Sequence, residues 1–493
     1  LKQLILGPPG TGKTSRLLSL VEQELRKGTP PDRIAFVTFT RAAAQEAAER
    51  ARQEFGLDEK ALPFFRTLHS LAFRQLELSS QQVIGPKHLK KMGDALGVIF
   101  RGAQDESTGG MLGAGDGNQL LGLYLLAKAR RQTLRQTWAA HPDPLDWHKL
   151  DWFARSYDKY KEDAGLLDFS DMLDRYEGEA APIPVDVAII DEAQDLSTQQ
   201  WCMAEYALSR AQRTYVAGDD DQAIYRWAGA DLNKFMAFSS DIKVLSHSYR
   251  LPGRVWELAG RISGSIHNRL SKQWDSRDEA GYVRRVMRPD HLAGTVHKGN
   301  WLFLTRHRHQ LGPLDKMLRS NGVLFDRQGA RSVTGKHVDA IYAWTGLQRG
   351  GRVDPGTGEQ LLQAVLAPGA QLPAKEHLDL SDFRGALGNR ADHDWFSAFE
   401  GIPVTRREYY RSCLRNGEKL REQPRVRIST IHGAKGWESD NVVLFTDMSQ
   451  RALRGFRRDP DDEHRVFYVG VTRAIKSLHL MNPSTWISYR MPA

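Results

Sequence analysis

The segment Leu4-Ile5-Leu6-Gly7-Pro8-Pro9-Gly10-Thr11-Gly12-Lys13-Thr14 decides the architecture of this chain. Three apolar residues read as a short buried strand, and the eight that follow fit G-x-x-x-x-G-K-[ST]. Residues 15–26 then run with helical periodicity, so the octet sits between a strand and a helix, the context a phosphate-binding loop requires. Glycine lets the backbone turn tightly enough for consecutive N–H groups to face phosphate oxygens. The N-terminus of the following helix adds favourable dipole charge. In such a loop Lys13 reaches the β- and γ-phosphates of a nucleoside triphosphate, and Thr14 offers its hydroxyl to Mg²⁺. A chance glycine-rich turn is the competing reading, and the flanking strand and helix argue against it.

A second element complements the first. Val187-Ala188-Ile189-Ile190-Asp191-Glu192-Ala193-Gln194-Asp195 is an apolar strand that ends in two adjacent carboxylates. Alone, such a pair is usually a solvated strand end. Beside a phosphate loop, Asp191 is placed to hold the shell of a Mg²⁺ ion and Glu192 to orient and deprotonate an attacking water. Apolar runs at residues 4–6, 34–38, 185–190, 214–217, 301–305, 426–430, 441–445 and 478–481 read as buried strands. Helical stretches such as residues 42–55 lie between some of them, which predicts α/β layers around parallel sheets. The alternation is interrupted twice. From about residue 76 to 184 the pattern is mostly helical and includes six glycines over residues 102–117, an expected flexible loop. Residues 328–424 read as irregular, with Gly and Arg clustered at 346–358.

The 493 residues predict about three domains, or two large ones with insertions. A hydrophobic fraction of 41% with 26% charged residues is ordinary for a soluble globular protein. No apolar run reaches the roughly 18 residues of a membrane span, and no signal peptide opens the sequence, so no membrane partner and a cytoplasmic setting are expected. The sequence starts at Leu1 rather than Met, and some N-terminal sequence is expected to precede it. Cys202 and Cys413 offer neither a disulfide framework nor a Cys-x-x-Cys pair. His307 and His309, amid arginines, read as a basic surface rather than a zinc site. The net charge of +9 is consistent with a polyanionic partner, but also with a merely basic protein.

The motifs together resemble superfamily 1 DNA helicases of the UvrD/Rep/PcrA family. Asp191-Glu192-Ala193-Gln194-Asp195 matches that family's acidic motif. Gly218-Asp219-Asp220-Asp221-Gln222-Ala223-Ile224-Tyr225-Arg226-Trp227-Ala228-Gly229-Ala230 resembles its G-D-x-D-Q-S-I-Y-x-W-R-G-A. Thr38-Phe39-Thr40-Arg41-Ala42-Ala43 resembles T-F-T-N-K-A-A, Thr67-Leu68-His69-Ser70 resembles T-F-H-S, and Ser248-Tyr249-Arg250 resembles N-Y-R. Thr430-Ile431-His432-Gly433-Ala434-Lys435-Gly436-Trp437-Glu438 resembles T-x-H-x-x-K-G-L-E, and Tyr468-Val469-Gly470-Val471-Thr472-Arg473-Ala474 matches Y-V-G-V-T-R-A. The set runs in family order from residue 7 to residue 474.

The resemblance implies two RecA-like P-loop motor domains with parallel sheets, each carrying a mostly helical inserted subdomain. The expected division is 1–75 with 181–243 for the first motor domain, 76–180 for its insertion, 244–327 with 425–493 for the second, and 328–424 for a small second insertion. It also implies ATP and Mg²⁺ as cofactors, bound by Gly7, Pro8, Pro9, Gly10, Thr11, Gly12, Lys13, Thr14, Ser15 and Arg16, with the metal on Thr14 and Asp191. Catalytic roles fall on Lys13, Glu192, Gln222 as γ-phosphate sensor, and Arg250 and Arg473 as arginine fingers. Tyr249 is expected to stack on adenine, and Gly436 and Glu438 to approach the ribose.

Single-stranded DNA, or duplex with a single-stranded tail, is the expected partner. Tyr225 and Trp227, two apart, would share a side on an extended segment. Spacing alone favours two core residues, whereas the resemblance makes them a platform for bases, a contact that tolerates any sequence. Phe39, His69, His432 and Lys435 are further candidates for the strand channel. Arg306, Arg308 and residues 454–458 could bind phosphates or be solvated surface. Departures from the family pattern are Ser15 for a frequent Arg, Ala228 for Arg, Trp437 for Leu and His464 for a basic residue, and the sequence from Leu1 onward holds no glutamine motif ahead of the phosphate loop. Base recognition resting mainly on Tyr249 is therefore expected to discriminate weakly among nucleotides. The leading expectation is a 3′→5′ ATP-dependent helicase. Its alternatives are a single-strand translocase that displaces proteins with little unwinding, the motor subunit of a helicase–nuclease complex, and a non-catalytic scaffold. The presence of every catalytic group argues against the last.

Overall fold

The computed structural model describes residues 1–58, 60–102, 115–141, 145–292 and 294–492. They form two compact units, Leu1–Glu279 with Arg454–Tyr468 and Ala280–Leu453 with Val469–Ala493.

The first unit is built on six strands: β1 (Lys2–Leu6), β2 (Ile34–Val37), β3 (Phe65–Arg66), β4 (Val187–Ile190), β5 (Arg213–Gly218) and β6 (Ile242–Val244). All pairings are parallel, in the order β3-β2-β4-β5-β1-β6. A parallel sheet is covered by helices on both faces, so its strands are apolar at successive positions rather than alternate ones. β1 shows this directly. Leu4 and Leu6 enter the core on one face of the sheet, and Ile5 enters the core on the other, with Leu17, Leu18 and Val21 of helix Lys13–Arg26.

Helices Pro86–Leu96, Asp116–Ala129, Leu134–Ala140 and Trp147–Ala164 occupy most of the first interruption, and Ile84, Leu89, Met92, Leu120, Phe153 and Tyr157 give them a core of their own. Of the expected loop at 102–117, residues 103–114 lie outside the described residues, and Asp116 and Gly117 already begin a helix. Residues 244–279, expected with the second motor domain, fall in the first unit. Their contacts account for this: Ser248 and Tyr249 bond the phosphate loop, and Arg269 and Lys272 pair with Asp219, Asp220 and Asp221.

The second unit holds seven strands: β7 (Tyr282–Val286), β8 (Trp301–Thr305), β9 (Phe325–Arg327), β10 (Ala330–Arg331), β11 (Val426–Thr430), β12 (Ser439–Phe445) and β13 (Ala474–Met481). Their order is β10-β9-β11-β8-β12-β13-β7. The sheet is parallel except at its β9–β10 edge, where a short hairpin makes it mixed. The hairpin turns at Gln328-Gly329, both with positive φ, the geometry that a type I′ hairpin turn requires.

Residues 328–424 are not irregular. They contain helices Gly335–Gln348, Pro355–Val365, Leu380–Leu387 and Val404–Arg415. Of the glycines that suggested a loop, Gly350 and Gly351 do lie in the link between two helices, while Gly346, Gly356 and Gly358 are tolerated inside helices because buried residues such as Ile341, Trp344, Leu361 and Val365 supply tertiary packing that outweighs propensity. These side chains share one continuous core with Phe303, Phe325 and Val426 of the sheet. Trp344 is fully buried, meets Phe383 and Phe399 edge-on at 5.8 and 5.5 Å, and donates its ring N–H to the His393 carbonyl at 2.9 Å. Trp344→Ala is expected to cost about 3–5 kcal/mol, read as a lowered denaturation midpoint. A loss below about 1 kcal/mol would mean that the second insertion packs without it.

Candidate functional site

The phosphate loop is preorganised by its own backbone. Thr11 donates its N–H and its hydroxyl to the Pro8 carbonyl at 3.2 and 2.8 Å, and Gly7 N–H bonds the Gly218 carbonyl at the end of β5 at 2.9 Å. Gly10 and Gly12 have φ of 74° and 73°, a region that costs other residues roughly 1–2 kcal/mol. Space also demands glycine: a Cβ on Gly10 would lie 2.3 Å from Arg250 Cβ, and one on Gly7 would meet Lys13 Cβ at 2.9 Å.

The Ser248-Tyr249-Arg250 segment closes over this loop. Ser248 Oγ donates to the Pro9 carbonyl at 2.7 Å, and Tyr249 N–H donates to the Gly10 carbonyl at 2.8 Å. Tyr249 is 72% exposed, and its ring comes within 3.8 Å of where a Gly12 Cβ would stand. An exposed aromatic face beside the loop can stack on a planar base. Ser15 faces solvent and accepts from Arg50 at 3.2 Å.

Lys13 meets the acidic strand end. Its ammonium donates to Glu192 Oε1 at 2.5 Å and lies 3.7 Å from Asp191 Oδ1. Burial works against the Lys13 charge, but Glu192 and Asp191 more than offset it and raise its pKa. Burial raises Asp191 to about 6, against the pull of Lys13 and with Glu192 adding to the rise. Asp191, buried, and Thr14, in the first turn of the helix after the loop, offer carboxylate and hydroxyl oxygens, the hard donors that suit Mg²⁺. Glu192 adopts the left-handed conformation at φ 53°, an unusual state for a side-chain residue and the sort of strain that clusters at functional sites.

From Glu192 a line of hydrogen bonds runs to Gln222. Gln194 Nε2 donates to Glu192 Oε2 at 2.6 Å, while Gln194 Oε1 accepts from Asp219 N–H at 3.1 Å. Asp219 Oδ2 in turn accepts from Gln222 Nε2 at 2.8 Å. The predicted base and the predicted γ-phosphate sensor are thus joined through the buried Gln194 side chain and the main chain and side chain of buried Asp219. Sequence reasoning quoted both without giving either a role.

The same segment rests on a buried charge cluster. Lys272, its side chain shielded from solvent, pairs with Asp219 at 2.9 Å, Asp221 at 2.8 Å and Asp220. Arg269 grips Asp221 through two bonds at 2.8 and 2.5 Å. Leu270 N–H donates to Asp220 Oδ2 at 2.8 Å, and the buried Arg465 donates Nε to the Asp220 carbonyl at 2.9 Å. Burial would raise the Asp221 carboxyl, but Lys272 and Arg269 hold it below its ordinary value. Sequence reasoning missed Lys272, Arg269 and Arg465. The available signal was the run of three aspartates after a buried strand, which must be neutralised; nothing in the sequence says by which cations.

The aromatic candidates also gather. Phe39 stacks on Tyr225 with centroids 5.6 Å apart, and Tyr225 lies 6.5 Å from Trp227, which is 59% exposed. The segment is not extended as expected. Asp220–Gln222 and Arg226–Ala228 are 3₁₀ turns, so the two rings approach through a bend rather than along one face of a strand. Gly229, at φ 102° and packed on Ala129, closes that bend. Phe39 and His69 stand beside helix starts capped by Thr40 and Thr67. Burial, with Arg41 nearby, lowers His69 to about 4, so it is neutral near pH 7 and offers a ring rather than a charge.

The second unit brings its own candidates together. His432, Lys435, Gly436 and Glu438 lie on one turn, with Gly436 at φ 86°. Arg473 is buried and donates to the Val469 carbonyl at 3.0 Å and to the Trp437 carbonyl at 3.4 Å, which sets it against that turn. Arg427 lies over the Trp437 ring and donates to the Glu438 carbonyl at 2.6 Å. His307 differs from the expected basic surface: burial lowers it to about 4, and its Nε2 accepts from Ser449 N–H at 2.9 Å.

Two outcomes follow from this geometry. Glu192→Gln, which keeps shape but removes the base, is expected to retain nucleotide binding and lose hydrolysis by at least about a hundredfold. Failure to bind a labelled nucleotide would assign Glu192 a binding role instead. Lys272→Met leaves buried aspartates uncompensated and is expected to destabilise the first unit by about 3–5 kcal/mol, measured by denaturant unfolding. A near-neutral result would show the cluster to be solvated in solution.

Comparisons with known proteins bear on the family of the chain. The sequence model for the UvrD/REP helicase N-terminal domain matches residues 2–243, and that for the UvrD-like helicase C-terminal domain matches residues 410–484. The ATP-dependent DNA helicase UvrD2 of Mycobacterium tuberculosis is 25% identical over 566 aligned positions, covering 99% of this chain and 77% of that protein. The ATP-dependent DNA helicase PcrA of Bacillus subtilis is 25% identical over 352 positions, 67% of this chain and 46% of its own length. For the ATP-dependent DNA helicase Rep of Escherichia coli the figures are 25% over 368 positions, 67% and 53%, so this chain spans about half of PcrA and of Rep. On these matches, which run from residue 2 to residue 243 and from 410 to 484, the chain belongs to the UvrD/Rep helicase family.

Proposed function

We propose that this chain is an ATP-dependent DNA helicase that moves 3′→5′ along single-stranded DNA and opens duplex ahead of a single-stranded tail. The observation that carries the reading is the hydrogen-bonded line from Lys13 through Glu192, Gln194 and Asp219 to Gln222, which ends three residues before Tyr225. A change at the phosphates and a change at the bases therefore act on one short segment.

In this reading Lys13 and the loop N–H groups hold the β- and γ-phosphates, and Glu192 takes the proton of the attacking water. Gln222 senses the γ-phosphate, and Arg250 and Arg473 supply guanidinium charge to the transferring phosphoryl group. Thr14 and Asp191 would hold Mg²⁺, whose chemistry is to neutralise charge on the phosphate oxygens. Tyr249 stacks on the base, with Gly436 and Glu438 at the ribose. Phe39, Tyr225 and Trp227 carry the DNA bases, with His69, His432 and Lys435 along the strand.

A translocase that displaces proteins with little unwinding is the second reading, favoured by the short 328–424 insertion, whose side chains share their core with the second sheet. The deciding measurement pairs ATPase assays on single-stranded DNA, duplex and RNA with unwinding of duplexes tailed at either end. Stimulation by single-stranded DNA and unwinding of the 3′-tailed substrate alone are expected. Equal unwinding of both tails would sink the polarity, and protein displacement without unwinding of either would select the second reading.

A further inference from the structure

The turn that presents Tyr225 and Trp227 is tied down by the residue between them. Arg226 directs its guanidinium to Asp459 Oδ2 at 3.1 Å and Asp462 Oδ1 at 2.6 Å. Its carbonyl accepts from Arg130 Nη2 at 3.4 Å and from Gly229 N–H at 3.1 Å. Ala228 N–H bonds the Tyr225 carbonyl at 2.8 Å, and a Cβ on Gly229 would come within 2.9 Å of Ala129 Cβ. The helical insertion, through Ala129 and Arg130, and the acidic segment at 459–462 thus converge on this bend.

We propose that Arg226 is a positioning residue for strand binding: its ion pair with Asp459 and Asp462 fixes the orientation in which Tyr225 and Trp227 meet the bases. The inference rests on the reading of this turn as the strand-binding element. The physical reason is preorganisation. An exposed ring on a loose bend must be ordered when it stacks, and that ordering subtracts from affinity. A bend held by two carboxylates is already ordered. The side chains of Arg226, Asp459 and Asp462 are 32%, 43% and 45% exposed, so solvent screens the pair and its contribution to global stability is small. Its effect falls on the position of the aromatic rings.

An alternative role for Arg226 is direct contact with a DNA phosphate, and the two roles predict opposite signs for one variant. The experiment measures the concentration of a single-stranded oligothymidylate that half-maximally stimulates ATPase, and kcat at saturating DNA, over a salt series. Asp459→Asn with Asp462→Asn removes two negative charges. If Arg226 positions the turn, the half-saturating concentration rises by about tenfold, the scale of one lost base stack, while kcat stays within about twofold. If Arg226 instead waits for a phosphate, freeing it tightens binding and steepens the salt dependence, and the proposal is overturned. Arg226→Met is expected to match the double variant, and Arg226→Lys to restore most of the loss. Unchanged half-saturation in Arg226→Met, or a fall confined to kcat, also overturns it. Trp227→Ala is the control for the underlying reading: if that variant binds the oligonucleotide normally, the turn is not the strand-binding element, a failure distinct from that of Arg226.

Discussion

Three consecutive aspartates at the end of a buried strand are an electrostatic liability, and the first unit is organised around discharging it. Asp219, Asp220 and Asp221 are fully buried. Isolated carboxylates in such a place would lose several kcal/mol each to desolvation or would protonate. Lys272 and Arg269 come from more than forty residues further along the chain to meet them. That requirement binds residues 244–279 to the first sheet and brings Ser248, Tyr249 and Arg250 against the phosphate loop. Buried ion pairs are weak sources of net stability, but removing one partner leaves an uncompensated charge and costs several kcal/mol, so the arrangement that pairs them is held. Here the arrangement fixes the backbone of the segment that carries Gln222.

The cluster also explains how a hydrogen-bonded line can cross the site. Asp219 uses one oxygen on Lys272 and the other on Gln222, so charge balance and the bond to Gln222 share one carboxylate. Gln194 is suited to its place because an amide is both donor and acceptor: it gives to Glu192 and receives from Asp219 N–H. A carboxylate at that position could accept from Asp219 N–H but not donate to Glu192. Fully satisfied networks of this kind are rigid, which keeps Glu192 in its left-handed conformation and its carboxylate on Lys13.

The fold was legible where one kind of residue pattern has one physical solution. Apolar runs flanked by helices became β1, β2, β4, β5, β8, β11, β12 and β13 because a two-sided parallel strand must be apolar throughout. The strands that escaped notice are short or lie at sheet edges: β3 has two residues, β6 three, the β9–β10 hairpin three and two, and β7, with five, is a largely unburied edge strand. Edge strands bury less, so their composition carries less signal. The helices of 328–424 escaped because their stability comes from burying Trp344 and its neighbours, while their glycines point the other way. The site was legible wherever one motif holds both partners, as in Lys13 with its loop. It was not legible where charge balance is met from a distance, as with Lys272, or where a bend replaces an extended segment, as at Tyr225 and Trp227.

Large aromatic side chains at the surface make the final step of the argument. Trp227 and Tyr249 are 59% and 72% exposed, in a chain that buries Trp201, Trp344 and Tyr468 completely. Exposing an indole or a phenol face forgoes roughly 1.5–3 kcal/mol of burial, so folding alone gives no reason for it. Both are nevertheless held by fixed backbone: Tyr249 through its N–H on Gly10, and Trp227 through the bend at Arg226 to Gly229. A stacking surface that is exposed and yet immobile can take a planar ligand without an ordering penalty. Two such surfaces, one beside the phosphate loop and one three to five residues past Gln222, stand on the same unit, which is what the proposed coupling of a nucleotide base to a polynucleotide base would require.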